Sequence, residues 1–266
     1  MAKRRLDVLL LERGLVESRE KARTAVMAGA VLVDERPAVK PSGLVDEAVA
    51  VRLVAGPRYV SRGGDKLERA LDAFAIDVTG AVAADIGAST GGFTDCLLQR
   101  GAARVYAVDV GRGQLDYNLR QDPRVVVMER VNARYLDSLP EPVDVITIDV
   151  AFISLRQVLP SVRKLLRSLA EPGLDARLKP GLRGYRSVGE IVALFKPQFE
   201  AAKSEVGKGG VIRDPLLHAT LIGRFAAWAV ANGFRIRGLV ASPLLGPAGN
   251  REFLFHLRPI EAEAKA

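Results

Sequence analysis

Apolar positions in the first 60 residues fall into two short helical stripes and three strand-like runs. Leu6, Leu9, Leu10 and Leu11 recur at helical spacing and stop at Gly14, a residue suited to the left-handed end of a helix. Ser18 is placed to cap a second helix, with Ala22, Ala25 and Val26 facing inward and Gly29 ending it. Arg19, Lys21 and Arg23 then crowd the outer side of its first turns. Residues 30–33 and 37–40 read as short strands joined by Asp34-Glu35-Arg36, and the alternation at 48–53 as a third. Gly56-Pro57-Arg58-Tyr59 is a turn-prone junction. It sets an expected boundary: a small module at 1–60, a larger body at 61–260 and a tail at 261–266.

Beyond the junction, strand and helix patterns alternate, which predicts an α/β fold with a parallel sheet covered on both faces. Residues 66–74 are amphipathic, with Leu67, Ala70, Leu71 and Phe74 inward. Five apolar strand runs follow, at 81–85, 105–108, 125–128, 143–148 and 190–195. A helix at 216–231 and strands at 234–240 and 252–257 complete the body.

Candidate chemistry collects where these strands end. The first runs into Asp85-Ile86-Gly87-Ala88-Ser89-Thr90-Gly91-Gly92-Phe93-Thr94-Asp95, a strand, a glycine turn and the start of a helix. Glycines let a ligand approach the backbone, and a helix start offers free N–H groups. The spacing differs from the dinucleotide fingerprint. It suits a ligand with a ribose and no pyrophosphate, such as S-adenosylmethionine. Asp85, Gly87, Ser89, Thr90, Gly91, Gly92 and Phe93 are the expected donor-binding set. Asp109, ending the second strand, is placed to accept from ribose hydroxyls. Asn132 either borders an adenine ring or caps its own loop. Asp149 ends the fourth strand and Lys196 the fifth, on the rim where doubly wound sheets bind ligands.

Composition narrows the functional class. The 266 residues are 48% hydrophobic and 26% charged, with a formal net charge of +8 that favours a polyanionic partner. The first 60 residues hold 11 Lys and Arg against 8 Asp and Glu, so the excess is not confined to one end. One cysteine (Cys96) excludes an internal disulfide and a multi-cysteine zinc site, and two histidines argue against a histidine metal centre. No metal is expected. The N-terminus is not a signal peptide and no run is long enough to span a membrane, so a cytoplasmic protein is expected.

The small module resembles the S4 RNA-binding domain. Arg4, Arg5, Leu6, Asp7, Arg19, Ala22, Arg23, Gly29, Val31, Val33 and Lys40 fall where that pattern expects them. The resemblance implies recognition of structured RNA by shape and phosphate, with Arg4, Arg5, Arg19, Lys21, Arg23 and Lys40 in contact.

The whole chain resembles the TlyA family, an S4 domain joined to an FtsJ-like ribose methyltransferase. The marks are SRGGDKL, DIGASTGGFTD, DVAFISL, FKPQFE, GKGGVIRD and GNREF, in that order. The resemblance implies a class I (Rossmann-like) methyltransferase fold with an antiparallel final strand. It also implies S-adenosylmethionine as methyl donor and ribosomal RNA 2′-hydroxyls, on cytidine, as target. Its Lys-Asp-Lys-Glu tetrad falls on Lys66, Asp149, Lys196 and Glu252. In that assignment Lys196 assists deprotonation, Asp149 orients it, and Lys66 and Glu252 position the ribose. Two departures stand out: Ala151 where the family often has Ser, and a basic Gly/Pro-containing insertion at 171–189. Competing readings are an RNA-binding protein on an inactive methyltransferase frame, a hemolysin-like secreted factor, and an S4-linked pseudouridine synthase. The last has no use for DIGASTGGFTD.

Overall fold

The computed structural model describes residues 3–27, 30–38, 40–54, 58–167, 189–207 and 209–260. Gly29, Gly56, Pro57, Lys208, the tail 261–266 and, but for Gly189, the insertion at 171–189 lie outside them. The chain divides into two compact units, Met1–Arg58 and Tyr59–Ala266.

The first unit runs β1 (Lys3–Arg5), α1 (Leu6–Glu12), α2 (Arg19–Met27), β2 (Val31–Val33), β3 (Arg36–Pro37), β4 (Leu44–Asp46) and β5 (Val51–Leu53). Leu6, Leu10, Ala22, Val26 and Val31 form its core. Leu11, expected inside, lies on the outer side of α1 and is 37% exposed. The α1 stripe ends where Gly14 turns left-handed (φ 67°) and Leu15 N–H bonds back to Leu10 C=O. Ser18 Oγ accepts from Lys21 N–H, the expected cap. Asp34 and Glu35, both at positive φ, make the tight β2–β3 turn. Two strands went unanticipated: β1 pairs antiparallel with β4 over three residues. The expected strands are shorter than predicted. The strand at 37–40 reduces to the end of β3, and that at 48–53 to β5, because Val49 N–H turns back to Asp46 C=O.

The second unit opens with α3 (Gly63–Phe74), followed by β6 (Val82–Ile86), α4 (Gly92–Gln99), β7 (Arg104–Asp109), α5 (Tyr117–Gln121), β8 (Val125–Glu129) and β9 (Val145–Ile148). Then come α6 (Leu155–Val162), β10 (Glu190–Phe195), α7 (Pro197–Glu200), α8 (Pro215–Ala231), β11 (Phe234–Ala241) and β12 (Phe253–Pro259). The seven strands make one sheet in the order β11-β12-β10-β9-β6-β7-β8. β10, β9, β6, β7 and β8 are mutually parallel, and β12 lies antiparallel between β10 and β11. That is the class I methyltransferase arrangement the resemblance implied.

Alternation along the central strands divides the core in two. Ala84, Ile86, Ile146 and Ile148 face α6 and α8, meeting Leu155, Leu159, Leu221 and Phe225. Ala83, Val105, Val145 and Val192 face α3 and α4, meeting Leu67, Leu71, Phe93 and Leu97. β10 is buried along its whole length, which is why it reads as a continuous apolar run. Among the described residues, no helix is long and apolar enough to cross a membrane.

Candidate active site

Every strand of the parallel set ends on one rim, and the glycine loop after β6 forms its floor. Gly87 (φ 85°) lies against the end of β9: a Cβ there would sit 2.5 Å from the Asp149 carbonyl oxygen. Only glycine fits that approach without displacing the strand that carries Asp149. Ser89 also turns left-handed (φ 50°), and its N–H is held by Asp109 Oδ2 at 2.8 Å. Asp109 Oδ1 takes Gly111 N–H at 2.6 Å. One carboxylate at the end of β7 thus fixes the loops on both sides of it.

Two cavities open on this rim. The larger, about 540 Å³, is lined by Asp109, Gln114, Asn132, Arg134 and the apolar Val131, Val150, Ile153 and Val158. The smaller, about 290 Å³, is lined by Ser61, Arg62, Gly63, Lys66, Thr90, Gly92, Phe93, Lys196 and Pro247. Gly87, Ser89, Asp149 and Ala151 line both and form the boundary between them.

The predicted tetrad gathers at the smaller cavity. Lys66, on the first turns of α3, meets Glu252 with Nζ 2.5 Å from Oε2, and both side chains are nearly buried. Lys196 Nζ, after β10, is 2.6 Å from Asp149 Oδ1. That contact satisfies charge without hydrogen-bond alignment, so Asp149 Oδ1 keeps its acceptor direction unused. A second link joins the segments that follow Lys196 and Asp149: Glu200, at the end of α7, accepts from Ser154 Oγ at 2.6 Å and from Leu155 N–H at 2.7 Å, capping α6. Phe199 packs against Phe152, with ring centroids 5.2 Å apart. Phe152 is 91% exposed and holds a left-handed backbone (φ 63°), so its ring stands at the mouth of the larger cavity. Burial raises the Glu200 carboxyl above its usual value, against the opposing bonds from Ser154 and Leu155.

Asp85 requires a correction. It lines neither cavity and is fully buried. β6 continues one residue further than expected, to Ile86, so Asp85 lies within the sheet facing α4. There it accepts from Thr94 Oγ1 at 2.7 Å and from Thr147 Oγ1 at 3.1 Å. Burial pushes its carboxyl up to about 7, the threonine bonds opposing and the nearby Asp149 charge adding to the rise. Gly91 also stands back from both cavities, against Leu115 and Leu119. Asn132 lines the larger cavity and also caps its own 3₁₀ turn, accepting from Arg134 N–H. Both of its expected roles remain compatible with its position.

Four of the six basic residues expected to meet RNA already face carboxylates. Arg4 pairs with Glu12 and Glu47, Lys21 with Glu17, and Arg5 and Arg19 converge on Asp7. Asp7 is fully buried, so it requires those guanidiniums, and the Arg5 hydrogen bond foremost holds its carboxyl down at about 2. Arg23 and Lys40 are exposed and form no ion pair among the described residues. Sequence reasoning missed Ser61, Arg62, Pro247 and Phe152 as lining residues. The motifs SRGGDKL and DVAFISL carried three of them, but nothing local marked Pro247.

Comparison with known proteins agrees with this geometry. The FtsJ-like methyltransferase model matches residues 59–259, and the S4 domain model residues 4–49. The chain is 49% identical to YqxC of Bacillus subtilis, across 96% of this chain and 85% of that protein. It is 46% identical to 16S/23S rRNA (cytidine-2'-O)-methyltransferase TlyA of Mycobacterium tuberculosis, across 97% of this chain and 91% of that protein. A solved structure from Streptococcus thermophilus, carrying a provisional hemolysin name, shares 42% identity with a TM-score of 0.70, covering 98% of this chain and 90% of that one. With an S4 module at its head and an FtsJ-like body bearing both lysine–carboxylate pairs, the chain belongs to the TlyA family of FtsJ-like methyltransferases.

Proposed function

We propose that this protein transfers a methyl group from S-adenosylmethionine to the 2′-hydroxyl of a cytidine in ribosomal RNA. The observation that carries the reading is the shared wall. Gly87, Ser89, Asp149 and Ala151 separate a large, partly apolar cavity from a small one holding Lys66, Lys196 and Asp149. A donor on one side and a ribose on the other would meet across it.

The larger cavity fits the donor. Each Asp109 oxygen receives one backbone N–H and retains acceptor capacity for ribose hydroxyls. Val131, Val150, Ile153 and Val158 supply an apolar slot for a base, with Asn132 at its edge. Gly87 and Ser89, on the shared wall, would hold the remainder, with Thr90, Gly92 and Phe93 reaching it from the smaller cavity. When bound, the donor supplies a methyl on a sulfonium, which passes to the ribose oxygen as the sulfur–carbon bond breaks.

A ribose hydroxyl is a poor nucleophile until its proton leaves. Lys196 Nζ, in its unprotonated form, takes that proton, and Asp149 holds the ammonium that results. The Asp149 carboxylate also faces the cationic donor from the shared wall. Lys66, held by Glu252, anchors the ribose from the opposite side. The small unit, the module at 1–60, grips structured RNA through phosphate contacts, with Arg23 and Lys40 supplying unneutralised charge.

The test uses tritiated S-adenosylmethionine with unmodified 30S subunits, 50S subunits and free ribosomal RNA, with Lys196→Ala alongside. The expected result is label in RNA with wild type only, mapping to a 2′-O-methylcytidine, while the variant still binds the donor. Retained turnover in Lys196→Ala overturns the role of Lys196. Donor binding without transfer to any of the RNAs overturns the proposed activity, in favour of an RNA-binding protein on an inactive frame.

A further inference from the structure

Asn250 joins GKGGVIRD, a motif that the chemistry above leaves unused, to GNREF, the motif that also carries Glu252. It is buried, with Oδ1 accepting from Ile212 N–H at 2.9 Å and Nδ2 donating to Gly210 C=O at 2.9 Å. Its own C=O accepts from Gly246 N–H at 2.8 Å. His218 of α8 braces the far side, its ring 3.2 Å from Ile212 C=O. One amide therefore ties residues 210–212 to the loop at 246–250.

That loop abuts the catalytic pair. A Cβ on Gly246 would sit 2.5 Å from Glu252 Oε1, and Pro247 lines the cavity that holds Lys66, Asp149 and Lys196. Arg213 directly follows Ile212, and Arg251 directly follows Asn250. Both are exposed, and among the described residues neither side chain has an ion pair or hydrogen bond. Elsewhere in this unit Arg100, Arg120, Arg167 and Arg258 are matched to carboxylates, while Arg235 and Arg237 on β11 are also exposed and, among the described residues, form no ion pair. The Arg213 and Arg251 guanidiniums stand on segments joined by the buried Asn250 amide, so one side chain sets where both are presented. Planar forks of this kind suit the oxygens of a phosphodiester.

We propose that Arg213 and Arg251 clasp the RNA backbone beside the target ribose, with Asn250 as the positioning residue that presents them. The proposal rests on the RNA methyltransferase reading and adds the surface by which the catalytic unit itself holds the strand. Phosphate contacts fix register without reading sequence, which is what a ribose-directed enzyme needs from its own catalytic unit.

The experiment measures methyl transfer to whichever unmodified RNA substrate the wild type labels, using the full chain with Arg213→Ala/Arg251→Ala. Arg235→Ala/Arg237→Ala, an equal charge loss on exposed β11 positions, serves as control. The expected result is a KM for RNA raised roughly tenfold or more, with donor affinity within about twofold of wild type. The salt dependence of RNA binding should flatten by roughly one to two in slope. Asn250→Ala should raise the KM for RNA and also lower kcat, because Gly246 and Glu252 lose their brace. If wild type labels RNA and the arginine pair changes nothing, the clasp is overturned while the activity stands. An equal effect from the β11 pair overturns it in favour of diffuse attraction. No label with wild type on any RNA overturns the underlying activity, and the clasp with it.

Discussion

The Glu200 carboxylate accepts a hydrogen bond from Ser154 Oγ at 2.6 Å, tying α7, which follows Lys196, to the loop that follows Asp149. The same carboxylate takes the Leu155 N–H, so it also caps α6. The relative placement of Asp149 and Lys196 is thereby fixed on both sides, by their own contact and by this second tie.

Glu200→Ala leaves the Leu155 N–H and the Ser154 hydroxyl without their acceptor. We expect a loss of about 1–3 kcal/mol in stability from the unsatisfied buried groups. We also expect kcat to fall while donor affinity is kept. Glu200→Gln retains one oxygen and should fall between. Urea denaturation and donor titration on both variants check this; a kcat equal to wild type in Glu200→Ala would show that the tie has no bearing on the chemistry.

The buried Lys66–Glu252 pair separates structural from catalytic charge. Removing one partner strands the other in the interior, a loss of roughly 3–5 kcal/mol, whereas removing both is often close to neutral. Lys66→Met and Glu252→Leu should each lower the melting temperature, and the double variant should recover most of it. Turnover should stay depressed by roughly a hundredfold or more in all three, since Lys66 is then either absent or no longer held by Glu252. Recovery of turnover in the double variant would reduce the pair to a structural contact.

The parallel strands were legible because burial on both faces writes them as continuous apolar runs, and β10 matches its expected span of 190–195. The lysine–carboxylate tetrad was legible through its motifs, each at the end of a strand or on the first turns of α3. β1 and β4 were not: three-residue strands with largely exposed side chains carry no alternation to read. Asp85 was misplaced by a single residue of strand length: β6 runs on to Ile86, which puts Asp85 inside the sheet and not at its rim. Its register partner is Thr147, which gives the carboxylate one of its two donors and could not be inferred from either segment alone. Pro247 lines the cavity from a local turn at 246–250 that is tied to residues 210–212 by the long-range bonds of Asn250, which no local pattern shows.

In the small unit, acid should act through Asp7. Its carboxyl is held at about 2 by Arg5 first and Arg19 in support, well below an ordinary carboxylate. A depressed acid stabilises the fold above its unfolded pKa of about 4, and that stability is lost as pH falls toward 2. Hydrogen exchange of the α1 and α2 amides in the full chain should therefore show protection falling from pH 4 to pH 2. In Asp7→Asn protection should be lower at neutral pH and show no such step. A step of equal size in the variant would assign the acid sensitivity to other carboxylates.

Asp85 should act in the opposite sense. Burial raises its carboxyl to about 7, so the folded protein holds a proton that the unfolded chain gives up near pH 4. The stabilisation from the neutral acid is fully present below about pH 4 and is lost as pH rises through 7. Asp85→Asn keeps the site neutral and can still meet Thr94 and Thr147, whose hydroxyls can donate or accept. Relative to wild type, the variant should gain stability as pH rises, on the order of a few kcal/mol between pH 5 and pH 8.5. Asp149→Asn removes a charge that adds to the rise and should shift the wild-type transition to lower pH. Urea midpoints of the three proteins across that range decide the matter. Parallel curves for wild type and Asp85→Asn would mean that Asp85 does not titrate there, and that the threonine bonds outweigh burial.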